Sequence, residues 1–157
     1  MEFPKKPETY YLVRDEIERL IKEKNMDRER FHEFSKYGWQ EIVKKFLSAF
    51  IDLEKHKSAD LSYCWLHFRD GLRSSEAVLK KNDGYFDEVS KLIPDEDRNK
   101  KLFLILSEGW VYEGYAREIF EVLGELFYLE DAYILSPKFD WVICHCDDGK
   151  SSVLYKV

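Results

Sequence analysis

The stretch that decides the fold is DAYILSPKFDWVICHCDDGKSSVLYKV, residues 131–157. Its aromatic and aliphatic residues concentrate in three runs, 132–136, 139–146 and 151–157, which are separated by Pro-Lys and by Asp-Asp-Gly-Lys. Asp-Gly between two such runs is a strong hairpin signal, because glycine tolerates the positive φ that a tight turn requires. The pattern therefore predicts a three-stranded antiparallel meander.

The residues before this meander predict one more strand and a long helix. LFLIL (102–106) is an uninterrupted apolar run between turn signals, which is typical of a central strand covered on both faces. Ser107 is placed to cap a helix that runs to about residue 127. The predicted buried stripe of this helix is Tyr112, Ala116, Ile119, Phe120, Leu123 and Phe127. Residues 101–157 thus form a strand–helix–meander unit.

Periodicity in the first hundred residues favours helices. The expected elements are a helix at 10–24, a short helix at 27–34, a core helix at 39–53, a strand at 61–68, and two short helices within 74–93. Helices followed by a mostly antiparallel sheet define an α+β fold. A chain of 157 residues is of the length of one domain, so we expect a single α+β domain over residues 1–157.

The charge distribution argues for a protein partner. The chain has a net charge of −6, and residues 101–157 hold ten carboxylates against five Lys and Arg. An acidic chain without a basic stripe repels phosphate backbones, so nucleic-acid binding is disfavoured. Membrane association is also not expected, because the longest strongly apolar run, 102–106, is far shorter than the ~20 residues that cross a bilayer. Three cysteines fit reduced thiols in the cytoplasm better than a disulfide framework.

A set of carboxylates in the C-terminal unit is the candidate binding site. On the predicted helix and meander they would form one acidic face able to steer a basic protein partner. These residues are Glu113, Glu118, Glu121, Glu125, Asp140, Asp147 and Asp148.

Cysteine and histidine residues offer an alternative, chemical site. Thiolate and imidazole are zinc ligands, and Cys64 and His67 have a permitted ligand spacing. On a strand, Cys144 and Cys146 share one side while His145 points to the other. The pattern favours two buried or half-buried thiols beside a surface histidine, and no cofactor is predicted.

Residues 95–99, Asp-Glu-Asp-Arg-Asn, resemble the opening of a calcium loop. The sixth position, which should be Gly, is Lys100, and the twelfth, which should be Glu, is Leu106. This segment is therefore predicted to be a solvated turn.

The order Tyr133-Ile134-Leu135-Ser136-x-Lys138-Phe139-x-Trp141-x-x-Cys144 resembles the C-terminal signature of a bacterial family of uncharacterised small proteins. More loosely, the chain is similar to the SUKH-type immunity proteins of bacterial toxin systems, which are small acidic cytosolic α+β domains. The chain departs from the family pattern at His145-Cys146, where Asn-His-His is usual. The resemblance implies no activity and supplies no functional residues.

From these observations we expect a non-enzymatic, cytosolic protein-binding module. Its specific form would be an immunity protein that sequesters a basic toxin through the acidic C-terminal face. The alternative is a small metal-dependent or cysteine-based enzyme that uses Cys64, His67, Cys144 and Cys146. A homodimer joined through an exposed edge strand is a further expectation for the assembly.

Overall fold

The computed structural model describes residues 13–35, 37–55, 61, 64–75, 77–79, 84–126, 129, 131–146 and 151–157. Within these ranges the helices are α1 (Val13–Glu23), α2 (Trp39–Phe50), α3 (Tyr85–Ser90) and α4 (Ala116–Leu123). The strands are β1 (Phe31–Glu33), β2 (Arg73–Ser74), β3 (Val78–Leu79), β4 (Leu102–Leu106), β5 (Val111–Gly114), β6 (Ala132–Leu135), β7 (Trp141–His145) and β8 (Ser151–Lys156). Short 3₁₀ turns occupy Cys64–His67 and Asp95–Asp97.

All the strands belong to one sheet, and every pairing among them is antiparallel. The strand order is β1-β5-β4-β6-β7-β8-β2, and β3 also pairs with β8. The α+β prediction is confirmed, as is the β6-β7-β8 meander. The Asp-Gly turn predicted between β7 and β8 lies outside the described residues.

Helices cover the sheet on both sides. On one side, which we call the three-helix face, α1, α3 and α4 pack against alternate residues of the central strands, such as Leu104 and Ile143. On the other, the α2 face, α2 and the Cys64–His67 turn pack against the intervening residues, such as Ile105 and Val142. All residues of β4 are consequently buried, as predicted for a strand covered on both faces.

The first part of the predicted long helix is a strand instead. Leu106 donates its backbone N–H to the carbonyl of Trp110 at 2.9 Å, and Gly109 adopts a φ of 100°. This tight turn sends β5 back along β4, so the helix begins only at Ala116. At the end of β5, a Cβ on Gly114 would lie 2.6 Å from the carbonyl oxygen of Arg30, so the close approach of β1 requires glycine.

Three further predictions of local structure are wrong. Residues 31–33 form β1 rather than a helix, because Asp27 closes a turn by accepting the N–H of Glu29 at 2.9 Å. Residues 73–74 and 78–79 form β2 and β3 rather than a helix. Both strands pair with the outer edge of β8. The described part of the 61–68 segment is not a strand. It forms a 3₁₀ turn and one bridge, between Phe68 and Ile51.

The helices expected at 10–24 and 39–53 are confirmed as α1 and α2, although α1 ends at Glu23 and α2 ends at Phe50. The second short helix expected within 74–93 is α3. Among the described residues, no helix is long and apolar enough to cross a bilayer.

Candidate functional site

The structure does not gather the predicted carboxylates on one surface. Tyr112 belongs to the core of the three-helix face, so the alternation of β5 turns Glu113 toward the α2 face. There its Oε1 lies 3.1 Å from Nε2 of His32 on the paired strand β1. Glu113 therefore lies on the opposite side of the sheet from the carboxylates of α4.

Glu118 on α4 is buried rather than exposed, with 7% of its surface accessible. Both of its carboxylate oxygens accept hydrogen bonds from Nε of Arg30, at 2.9 and 3.0 Å. The pKa of Arg30 is raised, chiefly by this hydrogen bond, and its guanidinium also stacks 4.4 Å above the ring of Tyr115. The Arg30–Glu118 contact thus connects the turn before β1 to α4. Glu118 has little accessible surface for a partner to contact.

Glu121 on α4 and Glu125, just beyond the C-cap Gly124 of α4, remain on the surface, where both contact one lysine. Nζ of Lys24, just after α1, lies 2.9 Å from Glu125 and 3.4 Å from Glu121. The pKa of Lys24 is raised, chiefly by its hydrogen bond to Glu125. Two carboxylates four residues apart thus share a single cation, so the cluster keeps a net negative charge.

The remaining predicted carboxylates lie elsewhere in the chain. Asp140 is exposed just before β7, where its side chain accepts a hydrogen bond from the hydroxyl of Ser136. Asp147 and Asp148 lie outside the described residues.

The thiols of the alternative site are buried on the α2 face. Cys64 and Cys144 have no accessible surface, and Cys146 has 3%. Cys144 and Cys146 lie on one side of β7, as predicted, with 3.9 Å between their sulfurs. Burial raises the pKa of the Cys144 thiol, with a further contribution from its contact with Cys146. A thiol held in the protonated form is a poor nucleophile and a poor metal ligand.

His67 does not join these thiols in a metal site. It is exposed on the 3₁₀ turn whose first residue, Cys64, points into the core. In the part of the chain that the structure describes, no three His, Cys, Asp or Glu side chains are grouped as ligands for an ion.

His145 corrects the prediction of a surface histidine, because only 2% of it is exposed. Its Nδ1 lies 3.0 Å from the hydroxyl of Tyr85 and 3.4 Å from that of Ser152, which also hydrogen-bonds Tyr85. A hydroxyl beside an imidazole can in general be activated as a nucleophile. Ser152, however, has no accessible surface, so a substrate does not reach it in this conformation. Side chains alternate between the two faces along a strand. His145 is four residues after the apolar Trp141, so the sequence of β7 already indicates that both side chains face the same helix layer.

The segment predicted to be a solvated turn also holds a buried carboxylate. Asp97 is 4% exposed and accepts a hydrogen bond from Nε1 of Trp141 at 2.7 Å. Nζ of Lys100 lies 3.3 Å from the second oxygen of Asp97. This contact fixes the Asp95–Asp97 turn against β7, beside α3.

Between α3 and α4 the surface forms a cleft of about 390 Å³. Its apolar lining comes from Ile93, Ala116 and Phe120. Its polar lining comes from Asp87, Ser90, Arg98, Arg117 and Glu121. The sequence carries no local signal for this cleft, because its walls come from two helices and a loop that are brought together only by tertiary packing.

The fold and these surfaces describe an α+β domain with an acidic cluster and a cleft on its three-helix face. A family model matches residues 9–157, nearly the whole chain, and its description is a family of unknown function, DUF6756. The chain belongs to this family. No curated protein and no solved structure matches it.

Proposed function

We propose that this protein is a non-enzymatic, cytosolic protein-binding module whose partner presents basic side chains to Glu121 and Glu125. In its specific form the proposal is that of a bacterial immunity protein that sequesters a basic toxin. The loose resemblance to SUKH-type immunity proteins supports this form, and the mechanism would be steric occlusion with complementary charge.

The shared lysine is the observation that carries the proposal. Glu121 and Glu125 expose 43% and 47% of their side chains, and Lys24 is the cation that contacts both. A guanidinium from a partner could take a bidentate position on either carboxylate, which a lysine cannot match. The neighbouring apolar surface of the α3–α4 cleft would be covered in the same event.

The burial of the reactive groups supports binding over chemistry. The three thiols and His145 are each 3% exposed or less, and burial raises the pKa of Cys144. Glu121 and Glu125 are instead accessible, with 43% and 47% of their side chains exposed. An acidic surface of this kind accelerates association with a basic partner and makes it sensitive to salt.

Affinity capture with neutralised carboxylates tests the proposal. The bait pair is wild type and Glu121→Gln/Glu125→Gln, used on a lysate of the native host and read by quantitative mass spectrometry. The matched control is Glu41→Gln/Glu54→Gln, which removes the same charge from exposed positions at either end of the α2 region.

We expect a basic protein that wild type and the control retain and that the α4 variant loses. Its binding should weaken when salt is raised from about 50 to about 300 mM, because the contact is electrostatic. Equal retention by all three baits, or retention unaffected by salt, would contradict the role of Glu121 and Glu125.

A further inference from the structure

The cleft between α3 and α4 has the size of a small-molecule site. Its volume of about 390 Å³ falls within the ~300–1,000 Å³ typical of ligand pockets. Its floor is firm, because Ile93 and Phe120 are 2% and 6% exposed and belong to the core of the three-helix face. The buried Asp97–Trp141 hydrogen bond holds the adjoining loop in place.

Two guanidinium groups lie at this cleft. Arg98 is held in place, since its Nε donates to Asp95 at 2.7 Å and its Nη2 donates to the carbonyl of Lys91 at 3.3 Å. Arg117 on α4 is exposed, and among the described residues no carboxylate lies within ion-pair distance of it. Its expected helical partner is Glu121, four residues later, but that carboxylate contacts Lys24 instead. Arg117 is therefore available to an anionic group.

The opposite wall of the cleft carries a negative charge. Asp87 lies on α3, is exposed, and makes no side-chain ion pair within the described part of the chain. The cleft thus carries charges of both signs over an apolar floor: Arg98 and Arg117 are cationic, Asp87 is anionic, and Glu121 also lines the cleft but contacts Lys24. A simple organic anion in the cleft would meet repulsion from Asp87, and a simple amine would meet repulsion from the two guanidinium groups.

We propose that this cleft binds a small zwitterion with an apolar body, of the class of apolar α-amino acids. The ligand carboxylate contacts Arg117 and Arg98, its ammonium group contacts Asp87, and its side chain packs on Ile93, Ala116 and Phe120. This proposal does not depend on a protein partner, and Glu121, which also lines the cleft, holds none of the ligand's charged groups because it contacts Lys24.

Calorimetric titration of the full chain with three related probes tests the proposal. The probes are L-phenylalanine, 3-phenylpropanoate, which lacks the ammonium group, and phenethylamine, which lacks the carboxylate. We expect L-phenylalanine to bind saturably below about 1 mM, and each single-charge probe to bind at least about tenfold more weakly.

Substitutions then show which wall of the cleft contacts which charged group of the ligand. Arg117→Gln should weaken L-phenylalanine at least about tenfold, whereas the exposed control Arg69→Gln should leave the affinity unchanged. Asp87→Asn should weaken L-phenylalanine and at the same time strengthen 3-phenylpropanoate, which a folding defect would not do. The proposal is overturned by any of three results: no saturation by L-phenylalanine up to about 10 mM, equal affinity for 3-phenylpropanoate, or unchanged affinity in Arg117→Gln.

Discussion

The two faces of the sheet hold their helices by different means. On the α2 face, Phe46 packs among aromatic rings, with centroid distances of 5.0 Å to Tyr133, 5.8 Å to Phe50 and 6.2 Å to Phe68. On the three-helix face, buried hydrogen bonds join distant elements, as between Asp97 and Trp141 and between Tyr85 and His145. The α2 face depends mainly on packed volume, together with a buried hydrogen bond from the Tyr133 hydroxyl to the carbonyl of Leu61 at 2.8 Å. The three-helix face relies more on bonds between side chains of distant elements, which specify where each element lies.

This difference coincides with the distribution of candidate sites. The cleft and the Glu121–Glu125 cluster both lie on the three-helix face, beside the elements that the buried polar groups fix. A binding site needs walls in defined positions, and hydrogen bonds supply this better than apolar contact alone. The α2 face, whose thiols are enclosed and whose Cys144 thiol has a pKa raised by burial, is by contrast a structural layer.

The largest expected effect is the loss of volume on the α2 face. Phe46→Ala should lower the free energy of unfolding by about 3–5 kcal/mol, because it leaves a cavity among Phe50, Phe68 and Tyr133. Urea unfolding followed by circular dichroism measures this. Phe46→Leu, which keeps most of the volume, should cost less than about 2 kcal/mol. Similar costs for the two variants would show that packing is not what holds α2.

The second expected effect is the loss of a directional bond on the three-helix face. Trp141→Phe removes the indole N–H that bonds Asp97 and leaves a buried carboxylate with Lys100 as its remaining described partner. We expect a loss of about 2 kcal/mol in the free energy of unfolding, measured in urea.

Asp97→Asn is the matched control for this bond. It keeps an acceptor for the indole N–H and should cost less than Trp141→Phe. In a double-mutant cycle, Trp141→Phe and Asp97→Ala should be non-additive, because each of these two substitutions removes the same hydrogen bond. Additive costs would mean that the bond contributes nothing beyond the volume of the indole ring.

Alkaline pH should lower the free energy of unfolding through the buried ionisable groups of the α2 face. Burial raises the pKa of Cys144, and burial also raises the pKa values of Tyr133 and Tyr155 on this face. Above about pH 8.5 the thiol ionises in the unfolded chain but stays protonated in the folded one. The folded state then binds more protons, so stability falls as pH rises, by up to about 1.4 kcal/mol per pH unit for each such thiol.

Unfolding midpoints in urea at about pH 7.5, 8.5 and 9.5 measure this slope. Cys144→Ala should be less stable than wild type at neutral pH but lose less stability on going to alkaline pH. If its pH dependence matches that of wild type, Cys144 is not the group that ionises on unfolding.

The strongly patterned segments of the fold could be predicted from sequence. The apolar run of β4, the meander strands and the periodicity of α1 and α2 each carry one local signal that the tertiary structure follows. The errors lie where two signals compete. The heptad-like spacing around Tyr112 favoured a helix, but the turn at Gly109 and the pairing of β5 with β4 prevailed.

The candidate site was harder to predict because it depends on pairings between distant residues. No local pattern indicates that Arg30 would pair with Glu118, or that Lys24 would contact Glu121. These contacts decide which carboxylates stay accessible and leave Arg117 available at the cleft. The burial of His145 is easier to predict from the sequence, since His145 lies on the same side of β7 as Trp141 and Ile143.

The smallest expected effect concerns the hydroxyl of Tyr85. Its removal tests hydrogen bonding on the three-helix face while the packing of the ring is kept. Tyr85→Phe keeps the ring against Phe86, whose centroid is 4.9 Å away, but removes the hydroxyl that contacts His145 and Ser152. We expect a loss of about 1 kcal/mol, because Nδ1 of His145 and the Ser152 hydroxyl are already 3.4 Å apart and can bond each other.

Ser152→Ala and the double variant Tyr85→Phe/Ser152→Ala complete this test by urea unfolding. Each single variant leaves His145 one of the two hydroxyls, whereas the double variant removes both. Its cost should therefore exceed the sum of the two single costs by at least about 0.5 kcal/mol. A simple sum would mean that the two hydroxyls act independently. The three-helix face would then differ from the α2 face in composition but not in how it positions its helices.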